Sequence, residues 1–211
     1  AVGLDFGLKT YLTGSDETTI ESPEFFKQNL KAVKRLHRIL SRKQKGSANY
    51  RRAQRDLARL YRRIANQRMA WQWKKAWKLV GDYAFIGFET LNIKAMQRLW
   101  GRKVSDYGFS EFSSILSYVA SKVGTQVVHV NQWFASSQLC SVCGFKFEGT
   151  KDLKVRQWTC PHCGAVHDRD VNAAHNILAE ALRIADRVVT GGTFVRQGKP
   201  ESDRRKSASG V

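Results

Sequence analysis

The stretch Cys140-Ser141-Val142-Cys143 is separated by sixteen residues from a second pair, Cys160-Pro161-His162-Cys163. The two pairs use all four cysteines of the chain, and a Cys-x2-Cys spacing repeated in this way is typical of a zinc ribbon. Gly144 and Gly164 directly follow the pairs, and a glycine there lets the chain turn tightly around a metal ion. Four thiolates complete a tetrahedron, so the expected zinc is structural rather than catalytic.

A second interpretation of the cysteines is two disulfides, or a set of reduced thiols in a core. Disulfides are found mostly in secreted proteins, and the sequence shows no signal peptide, so bound Zn²⁺ in a reducing, cytoplasmic compartment is favoured. The predicted zinc ligands are Cys140, Cys143, Cys160 and Cys163. His162 and His167 are close in sequence but surplus to a four-ligand site, and His129 is predicted to be a packed core histidine.

The ribbon is followed directly by His167-Asp168-Arg169-Asp170, an acidic segment at the start of a helix predicted over about 171–186. A structural metal module just before a carboxylate suggests that the module positions this carboxylate, as a nuclease site would require. Asp is also favoured as a helix N-cap, which is the alternative role for Asp170. Asp168 competes with Asp170 for the catalytic role, and the residue pattern does not separate the two.

Two further carboxylates lie in predicted strands. Residues 2–13 alternate apolar with small or polar groups and predict two strands, the first of which contains Asp5. The apolar run 83–88 predicts a buried strand that ends at Glu89. Hydrolysis of a phosphodiester by two Mg²⁺ ions needs hard oxygen ligands around ions roughly 4 Å apart, and carboxylates supply them. Taken singly, Asp5 could be a turn acid and Glu89 an exposed residue at a strand end.

The chain is strongly basic, with 36 Lys and Arg against 18 Asp and Glu and a formal net charge of +18. This balance predicts a polyanionic partner. Nucleic acid is favoured over a membrane because no apolar run approaches the roughly 20 residues of a spanning helix. Half of the positive residues, 18, lie within 27–78, where Asp56 is the only acid. Solvated helix faces usually mix both signs, so this segment is predicted to contact nucleic acid.

The same basic segment has the periodicity of a helical hairpin. One apolar stripe at three- and four-residue steps runs from Phe26 to Leu40, and a second runs from Ala53 towards Trp77. Residues 46–49 break the pattern between them. Three tryptophans near the end of the second helix are compatible with base stacking, but helical tryptophans at this spacing more often pack in a core, which is the favoured interpretation. They are Trp71, Trp73 and Trp77.

The rest of the chain alternates between strand-like and helix-like segments. The pattern predicts a loop or short helix over 91–108, a helix over 110–123 and a strand over 126–131. The tail over 191–211 is polar and basic and is predicted to be disordered. The chain begins without Met inside a strand-like run, and we interpret it as the C-terminal part of a longer protein.

These motifs stand in the order found in the TnpB family, and the chain resembles that family over about residues 1–180. The segments that resemble its three RuvC motifs are Gly3–Lys9, Phe88–Met96 and Asp168–Ile177. The segments that resemble its zinc ribbon are Ser136–Gly144 and Trp158–Gly164. TnpB proteins are transposon-encoded, RNA-guided DNA endonucleases related to the compact type V CRISPR effectors.

The resemblance implies an RNase H-like core, Mg²⁺-dependent DNA cleavage, and guide RNA and target DNA as partners. The catalytic and Mg²⁺-binding residues that it implies, around two expected ions, are Asp5, Glu89 and Asp170. Thr90 stands where many members carry an acid, which we interpret as a difference beside the site and not as a loss of activity. Arg156 and Arg169 flank the ribbon and the third carboxylate and are candidates for contact with a phosphate.

The predicted fold class is α/β: an RNase H-like (RuvC) mixed sheet with flanking helices, an inserted basic helical hairpin and an inserted zinc ribbon. The expected divisions are a nuclease core over 1–135 with the hairpin at about 24–78, the ribbon over 136–167, the last core segment over 168–190, and the tail over 191–211. Two other functions fit the sequence, namely a guided DNA-binding regulator without cleavage and a guide-independent RNase H-like nuclease or transposase. The complete set of carboxylates argues against the first.

Overall fold

The computed structural model describes residues 1–152 and 154–190, and its centre is a five-stranded mixed sheet with the strand order β3-β2-β1-β4-β5. The strands are β1 (Val2–Phe6), β2 (Leu12–Gly14), β3 (Thr19–Ile20), β4 (Phe85–Glu89) and β5 (Gln126–Val130). The first three form an antiparallel meander, and β4 and β5 run parallel to β1. The predicted α/β class with a mixed sheet is confirmed.

Helices fill the two long connections of the central sheet. The segment between β3 and β4 contains α1 (Phe25–Gln28), α2 (Leu30–Ser41) and α3 (Ala48–Asp82), and the segment between β4 and β5 contains α4 (Ile93–Tyr107) and α5 (Phe109–Val123). After β5 come a two-stranded antiparallel sheet of β6 (Gln157–Thr159) and β7 (Val166–Asp168), and then α6 (Arg169–Thr190). Helix α6 follows β7 without a loop, so the small sheet and this helix are directly coupled.

The long helix α3 begins at a clear sequence signal. The Ser47 hydroxyl accepts a hydrogen bond from the Tyr50 N–H at 3.1 Å, which caps the helix after the break at 46–49. Trp71 and Trp73 lie partly buried against the main core, as predicted. The core prediction is wrong for Trp77, which is 48% exposed because the buried face of the helix is supplied by Ala76, Leu79 and Val80.

The segment 91–108 was expected to be a loop or a short helix, and it forms α4, in which two short helical stretches are joined at a kink, so its full helical extent was not predicted. Its first turn is capped by the Asn92 side chain, which accepts the Ala95 N–H at 3.1 Å. Ile93, Met96 and Trp100 then pack against the main core. The helix is broken at Trp100 and Gly101, which have non-helical backbone angles, and this break obscures the periodicity in the sequence.

Two glycines allow α6 to lie directly on the sheet. A Cβ atom on Gly3 would lie 2.1 Å from the Ala174 carbonyl oxygen, and one on Gly87 would lie 2.5 Å from the Ala181 Cβ. Any larger residue at these positions would therefore push the helix away from β1 and β4. The opposite face of the sheet packs against α3 and α5 around residues such as Phe112. The sheet is thus covered on both faces, with α6 held unusually close.

Among the residues that the structure describes, no helix is long and apolar enough to cross a membrane. The predicted disordered tail over 191–211 lies outside the described residues.

Candidate metal centres and nucleic-acid interface

The register of β1 and β4 brings two of the predicted carboxylates side by side. Leu4 is the partner of Phe88 in the parallel ladder, so Asp5 and Glu89 occupy the next position along each strand. Because side chains alternate between the faces of a sheet, both carboxylates lie on the face opposite the buried Leu4 and Phe88, which is the face that packs against α6. Asp5 and Glu89 line one cleft of about 410 Å³ at the carboxyl ends of the two strands.

Hydrogen bonds at the start of α6 separate the two competing aspartates. The Asp168 carboxylate accepts the N–H groups of Asp170 and Val171 at 2.9 and 3.2 Å, so Asp168 is the N-cap of the helix. Asp168 is exposed, whereas Asp170 is partly buried and lines the cleft together with Asp5 and Glu89. The alternative role of Asp170 as the helix cap is therefore excluded. Thr90, which follows Glu89, lines a different pocket.

The carboxylates in the cleft are electrostatically strained. Burial raises the pKa of Asp5 well above its usual range, and the negative charges of Glu89 and Asp170 raise it further, while Arg169 and Arg156 partly offset the effect. Burial also raises the pKa of Glu89 to about 7. A bound cation would relieve the repulsion among these oxygens, and hard oxygen donors suit a divalent ion such as Mg²⁺. The donor set of the cleft therefore fits the metal that the sequence analysis predicted.

We predict that Glu89→Gln stabilises the protein in a buffer without added Mg²⁺, under conditions that keep any metal ion at the four cysteines. Below pH 4.5, Glu89 is protonated in both the folded and the unfolded state and has no effect. Between its ordinary pKa of 4.5 and its folded pKa of about 7, the folded state holds a proton that the unfolded state releases, so stability falls as the pH rises. Above pH 7 the variant should gain on the order of 1–3 kcal/mol in the free energy of unfolding.

Urea denaturation at pH 8 and pH 5.5 measures this difference, because the gap between the variant and the wild type should shrink at the lower pH while the cysteine thiolates still hold their metal. The exposed acid Glu21 supplies the control, because Glu21→Gln should change the unfolding free energy little at either pH. Added Mg²⁺ should stabilise the wild type and leave Glu89→Gln nearly unchanged. A Glu89→Gln variant that is less stable than the wild type at pH 8 without Mg²⁺ would contradict the strain described for the cleft.

Arg156 brings a positive charge from the ribbon into the cleft. One of its guanidinium nitrogens, Nη1, lies 3.3 and 3.2 Å from the two oxygens of Asp170. The Arg156 carbonyl oxygen accepts the Arg169 N–H at 2.7 Å, which ties the ribbon to the start of α6. Both arginines line the cleft.

The four cysteines have the geometry of a tetrahedral metal site. Their sulfur atoms all lie within 4.8 Å of one another, and within residues 1–152 and 154–190 they form the only group of three or more such donors gathered so closely. The Sγ–Sγ distances are 3.7 Å for Cys140 and Cys163 and 3.7 Å for Cys143 and Cys160. Four thiolates about 2.3 Å from one zinc would be separated by roughly 3.8 Å. A disulfide would require about 2.05 Å, so the disulfide interpretation is wrong.

The surroundings of one ribbon cysteine favour its thiolate. Burial acts to raise the pKa of the Cys160 thiol, but the N–H groups of Cys163 and His162 point at its sulfur and bring the pKa down to about 6. For Cys143 and Cys163 a backbone N–H lowers the pKa, but burial and the neighbouring sulfur atoms outweigh it, so the pKa values of these two thiols are raised. His167 lies with its Nε2 3.1 Å from the Cys140 sulfur, while its ring packs against Trp158. His167 thus contacts a cysteine without belonging to the compact four-sulfur group, consistent with four-cysteine coordination.

Two asparagines of α6 hold the ribbon against the core. Asn172 accepts the Ser141 N–H at 2.9 Å and donates to the Leu139 carbonyl oxygen at 2.7 Å. Asn176 donates to the carbonyl oxygens of Ser136 and Leu139 at 2.8 and 2.7 Å. Both residues lie in the segment Asp168–Ile177 that resembles a family motif, but no role was predicted for them. Their spacing of four residues, which is one helical turn, and their position shortly after Asp170 are the signal that could have identified them.

His129 does not have the predicted position. It is exposed on the edge strand β5 because this strand has a neighbour on one side only. Its ring packs against that of Phe88 with centroids 4.3 Å apart, and its Nε2 lies 3.4 Å from the Ser117 hydroxyl. The prediction of a packed core histidine is therefore wrong, although the ring does contact a core residue.

The exposed side of α3 carries a row of arginines. In the described part of the chain, Arg59 alone among them pairs with an acid, Asp56, at 3.3 Å. The other members are exposed and form no ion pair with a described residue, which gives the helix a dense and largely uncompensated positive surface. We call this row the α3 arginine row, and its members are Arg51, Arg52, Arg55, Arg59, Arg62 and Arg63.

Two protein-family models match this chain. The model described as "Probable transposase" (OrfB_IS605) matches residues 1–99, and the model described as "Cas12f1-like, TNB domain" matches residues 109–177. The first match contains β1 and β4 with Asp5 and Glu89. The second contains the four cysteines and Asp170.

Individual proteins agree with these matches. A Streptomyces pristinaespiralis protein named "Putative RNA-guided DNA endonuclease" is 39% identical over 86% of this chain and 45% of its own length. The "TnpB-like protein L79" of Acanthamoeba polyphaga mimivirus is 29% identical over 86% of this chain and 37% of its own length. The chain therefore spans less than half the length of these two relatives.

A solved structure has the same fold. The cryo-EM structure of a Cas12f1-sgRNA-target DNA complex superimposes with a TM-score of 0.60 at 20% sequence identity, covering 83% of this chain and 48% of that one. The two family matches and the relatives agree with the motifs in the sequence and with the clustered carboxylates and cysteines. Together they show that this chain belongs to the TnpB family.

Proposed function

We propose that the protein to which this chain belongs is an RNA-guided DNA endonuclease, and that this chain contains its RuvC-type nuclease site. The observation that carries the proposal is the meeting of Asp5, Glu89 and Asp170 in one cleft. These residues come from two parallel strands and the start of a helix, and each lies in a segment that resembles a family motif. The printed names of the relatives add support, because one of them is called an RNA-guided DNA endonuclease.

The arrangement of elements supports an RNase H-like fold. An antiparallel meander followed by two parallel strands gives the order β3-β2-β1-β4-β5, with α6 packed on β1 and β4. In this interpretation the basic hairpin, at about 24–78, is an insertion between β3 and β4. The ribbon over 136–167 is a second insertion, before the last segment of the nuclease core over 168–190.

The carboxylates are the groups that would hold Mg²⁺. Two bound ions would supply an activated water and stabilise the leaving oxygen during hydrolysis of the phosphodiester. The sheet register fixes Asp5 and Glu89, and the helix that Asp168 caps fixes Asp170. The three carboxylate groups are therefore in position before a substrate binds. Arg156 and Arg169 would bind the phosphate, and the Arg156 guanidinium pairs with Asp170 at the edge of the cleft.

The four cysteines would hold one structural Zn²⁺. They complete a tetrahedron, which leaves no open position for chemistry. Through Asn172 and Asn176 the ribbon is fixed to α6, and it supplies Arg156 to the cleft. The ribbon would therefore support the nuclease site by positioning Arg156 and the start of α6 at the edge of the cleft.

Guide RNA and target DNA are the proposed partners, and the α3 arginine row is the proposed contact surface for one of them. Replacing Arg51, Arg55, Arg62 and Arg63 by glutamine should weaken nucleic-acid binding. It should also flatten the dependence of log Kd on log salt concentration by about 0.7–0.9 per lost phosphate contact, or about 3 in total. Fluorescence anisotropy with labelled nucleic acid at several salt concentrations gives this slope.

A matched variant controls for the loss of net charge. Lys27, Lys78, Lys151 and Arg183 each pair with a different acid, so their replacement by glutamine removes the same formal charge from positions that are already compensated. The slope should change little in this control. Equal slopes in both variants would show that the arginine row does not contact phosphates.

The function is tested with the full-length protein purified together with its native RNA. We expect plasmid DNA that matches the guide to be cleaved with Mg²⁺ and to remain intact with zinc-loaded protein in a Mg²⁺-free buffer. Binding without cleavage would favour a guided DNA-binding regulator, and cleavage without any copurified RNA would favour a guide-independent nuclease or transposase.

A further inference from the structure

The most exposed tryptophan of the chain stands at the nuclease cleft. Trp133 is 79% exposed, and it is the most exposed of the six tryptophans, all of which lie within the described residues. It belongs to the loop between β5 and the ribbon, and it lines the same cleft as Asp5, Glu89 and Asp170. Single exposed apolar residues are common on protein surfaces, so the exposure of Trp133 alone needs no explanation. Its position at the opening of the cleft does need one.

The backbone around Trp133 is firmly held. Its N–H donates to the Asn131 side-chain oxygen at 2.9 Å, and the Phe134 N–H donates to the Asn131 carbonyl oxygen at 2.9 Å. The Phe134 ring packs onto Val130 and Ile177, and Asn176 binds the Ser136 carbonyl oxygen at 2.8 Å. The loop is therefore anchored on both sides of Trp133, while the indole ring itself remains in solvent.

The cleft offers separate surfaces for the parts of a nucleotide. Asp5, Glu89 and Asp170 supply the acidic centre, Arg156 and Arg169 supply positive charge for a phosphate, and Trp133 supplies an aromatic face at the same opening. Exposed aromatic rings bind bases by stacking, and this contact tolerates any sequence because every base has a π face. In a duplex these faces are already stacked on one another, so a base that reaches Trp133 must be unpaired.

We propose that Trp133 stacks on an unpaired base next to the phosphate at the carboxylates and thereby positions the strand that is cleaved. This inference rests on the proposed nuclease function and names a substrate-positioning residue at that site. The stacked base would fix the position of its own phosphate in the cleft. Trp133 would thus act on substrate binding and on the choice of the bond that is cleaved.

Fluorescence of 2-aminopurine tests the contact directly, because its emission is quenched when it stacks on an indole ring. The full-length protein with its RNA is mixed with single-stranded DNA that carries one 2-aminopurine at successive positions. We expect quenching at one or two adjacent positions, loss of this quenching in Trp133→Leu, and substantial retention in Trp133→Phe. Trp133→Leu should also bind the DNA about 5- to 50-fold more weakly.

Cleavage of DNA with a single abasic site gives a second readout. The wild type should cleave more slowly when the missing base is the one that stacks on Trp133, whereas Trp133→Leu should not distinguish this substrate from intact DNA. The half-exposed Trp77 on α3 provides the control, since Trp77→Leu should behave like the wild type in both assays.

Quenching that is the same in the wild type and in Trp133→Leu would overturn the proposal, as would an abasic penalty that persists in the variant. A Trp133→Leu variant that loses only stability, with quenching unchanged, would assign Trp133 to contact with another part of the protein. These results are distinct from a failure of the proposed nuclease function, in which the wild type would not cleave DNA under any of these conditions.

Discussion

Cys160→Ser is expected to release the proposed zinc ion and to unfold residues 136–167. Structural zinc contributes on the order of 10 kcal/mol to the folding of small zinc-binding peptides. The ribbon has little else to stabilise it, because its own buried cluster consists of Cys140, Trp158 and Cys160 with a few partly buried neighbours. Metal analysis should show zinc well below one ion per chain, and hydrogen exchange should be fast throughout the ribbon.

The loss should extend to the nuclease cleft, because Arg156 and the contacts of Asn172 and Asn176 depend on a folded ribbon. DNA cleavage should therefore fall together with the zinc content. His162→Ser is the matched control, since this exposed histidine lies between the cysteines of the second pair but is not one of the four clustered ligands. Full zinc content in Cys160→Ser, or oxidised cysteine pairs without zinc in fresh wild-type protein, would contradict the assignment.

Asp5→Ala and Glu89→Ala are each expected to abolish DNA cleavage while binding of RNA and DNA remains nearly intact. Hydrolysis depends on metal ions held by a few oxygens, whereas binding depends on many dispersed positive charges. Removing one carboxylate takes away a metal ligand. It also leaves fewer negative charges in the cleft to balance the positive charges of Arg156 and Arg169. We expect the cleavage rate to fall by at least about 10³-fold, and the double variant to be little worse than either single variant.

Single-turnover cleavage and binding should be measured on the same protein preparations. Asp82→Ala is the control, because Asp82 pairs with Lys78 on the surface and lies outside the cleft. It should cleave at the wild-type rate. Wild-type cleavage by Asp5→Ala or Glu89→Ala would remove the nuclease mechanism.

Much of the fold was predictable from the sequence because the relevant signals are local. Each of these signals involves residues that are near one another in the chain. They are the alternation of apolar and polar residues in β1, the apolar stripes of α2 and α3, and the spacing of the cysteines. The convergence of Asp5 with Glu89 is different, because the register between two distant strands cannot be obtained from either strand alone. There the resemblance to a family supplied what the residue pattern could not.

The features that were missed depend on tertiary contacts. Helix α4 has a break at Trp100 and Gly101 that interrupts its period. Trp77 and His129 are exposed because of where α3 and β5 lie in the fold, which their own sequences do not reveal. Asp168 and Asp170 are the same residue type and lie only two positions apart in the sequence. The backbone hydrogen bonds at the start of α6 are what distinguish them, because they identify Asp168 as the helix cap.

The most direct test of the account compares cleavage of a guide-matched plasmid by Asp168→Asn and Asp170→Asn in the presence of Mg²⁺. Asparagine caps a helix about as well as aspartate does, so Asp168→Asn should keep the start of α6 and cleave within about twofold of the wild-type rate. Asp170→Asn keeps the shape of the side chain but loses the negative charge needed at the metal, and it should give no detectable product. An active Asp170→Asn beside an inactive Asp168→Asn would contradict the assignment of Asp170 to the nuclease site.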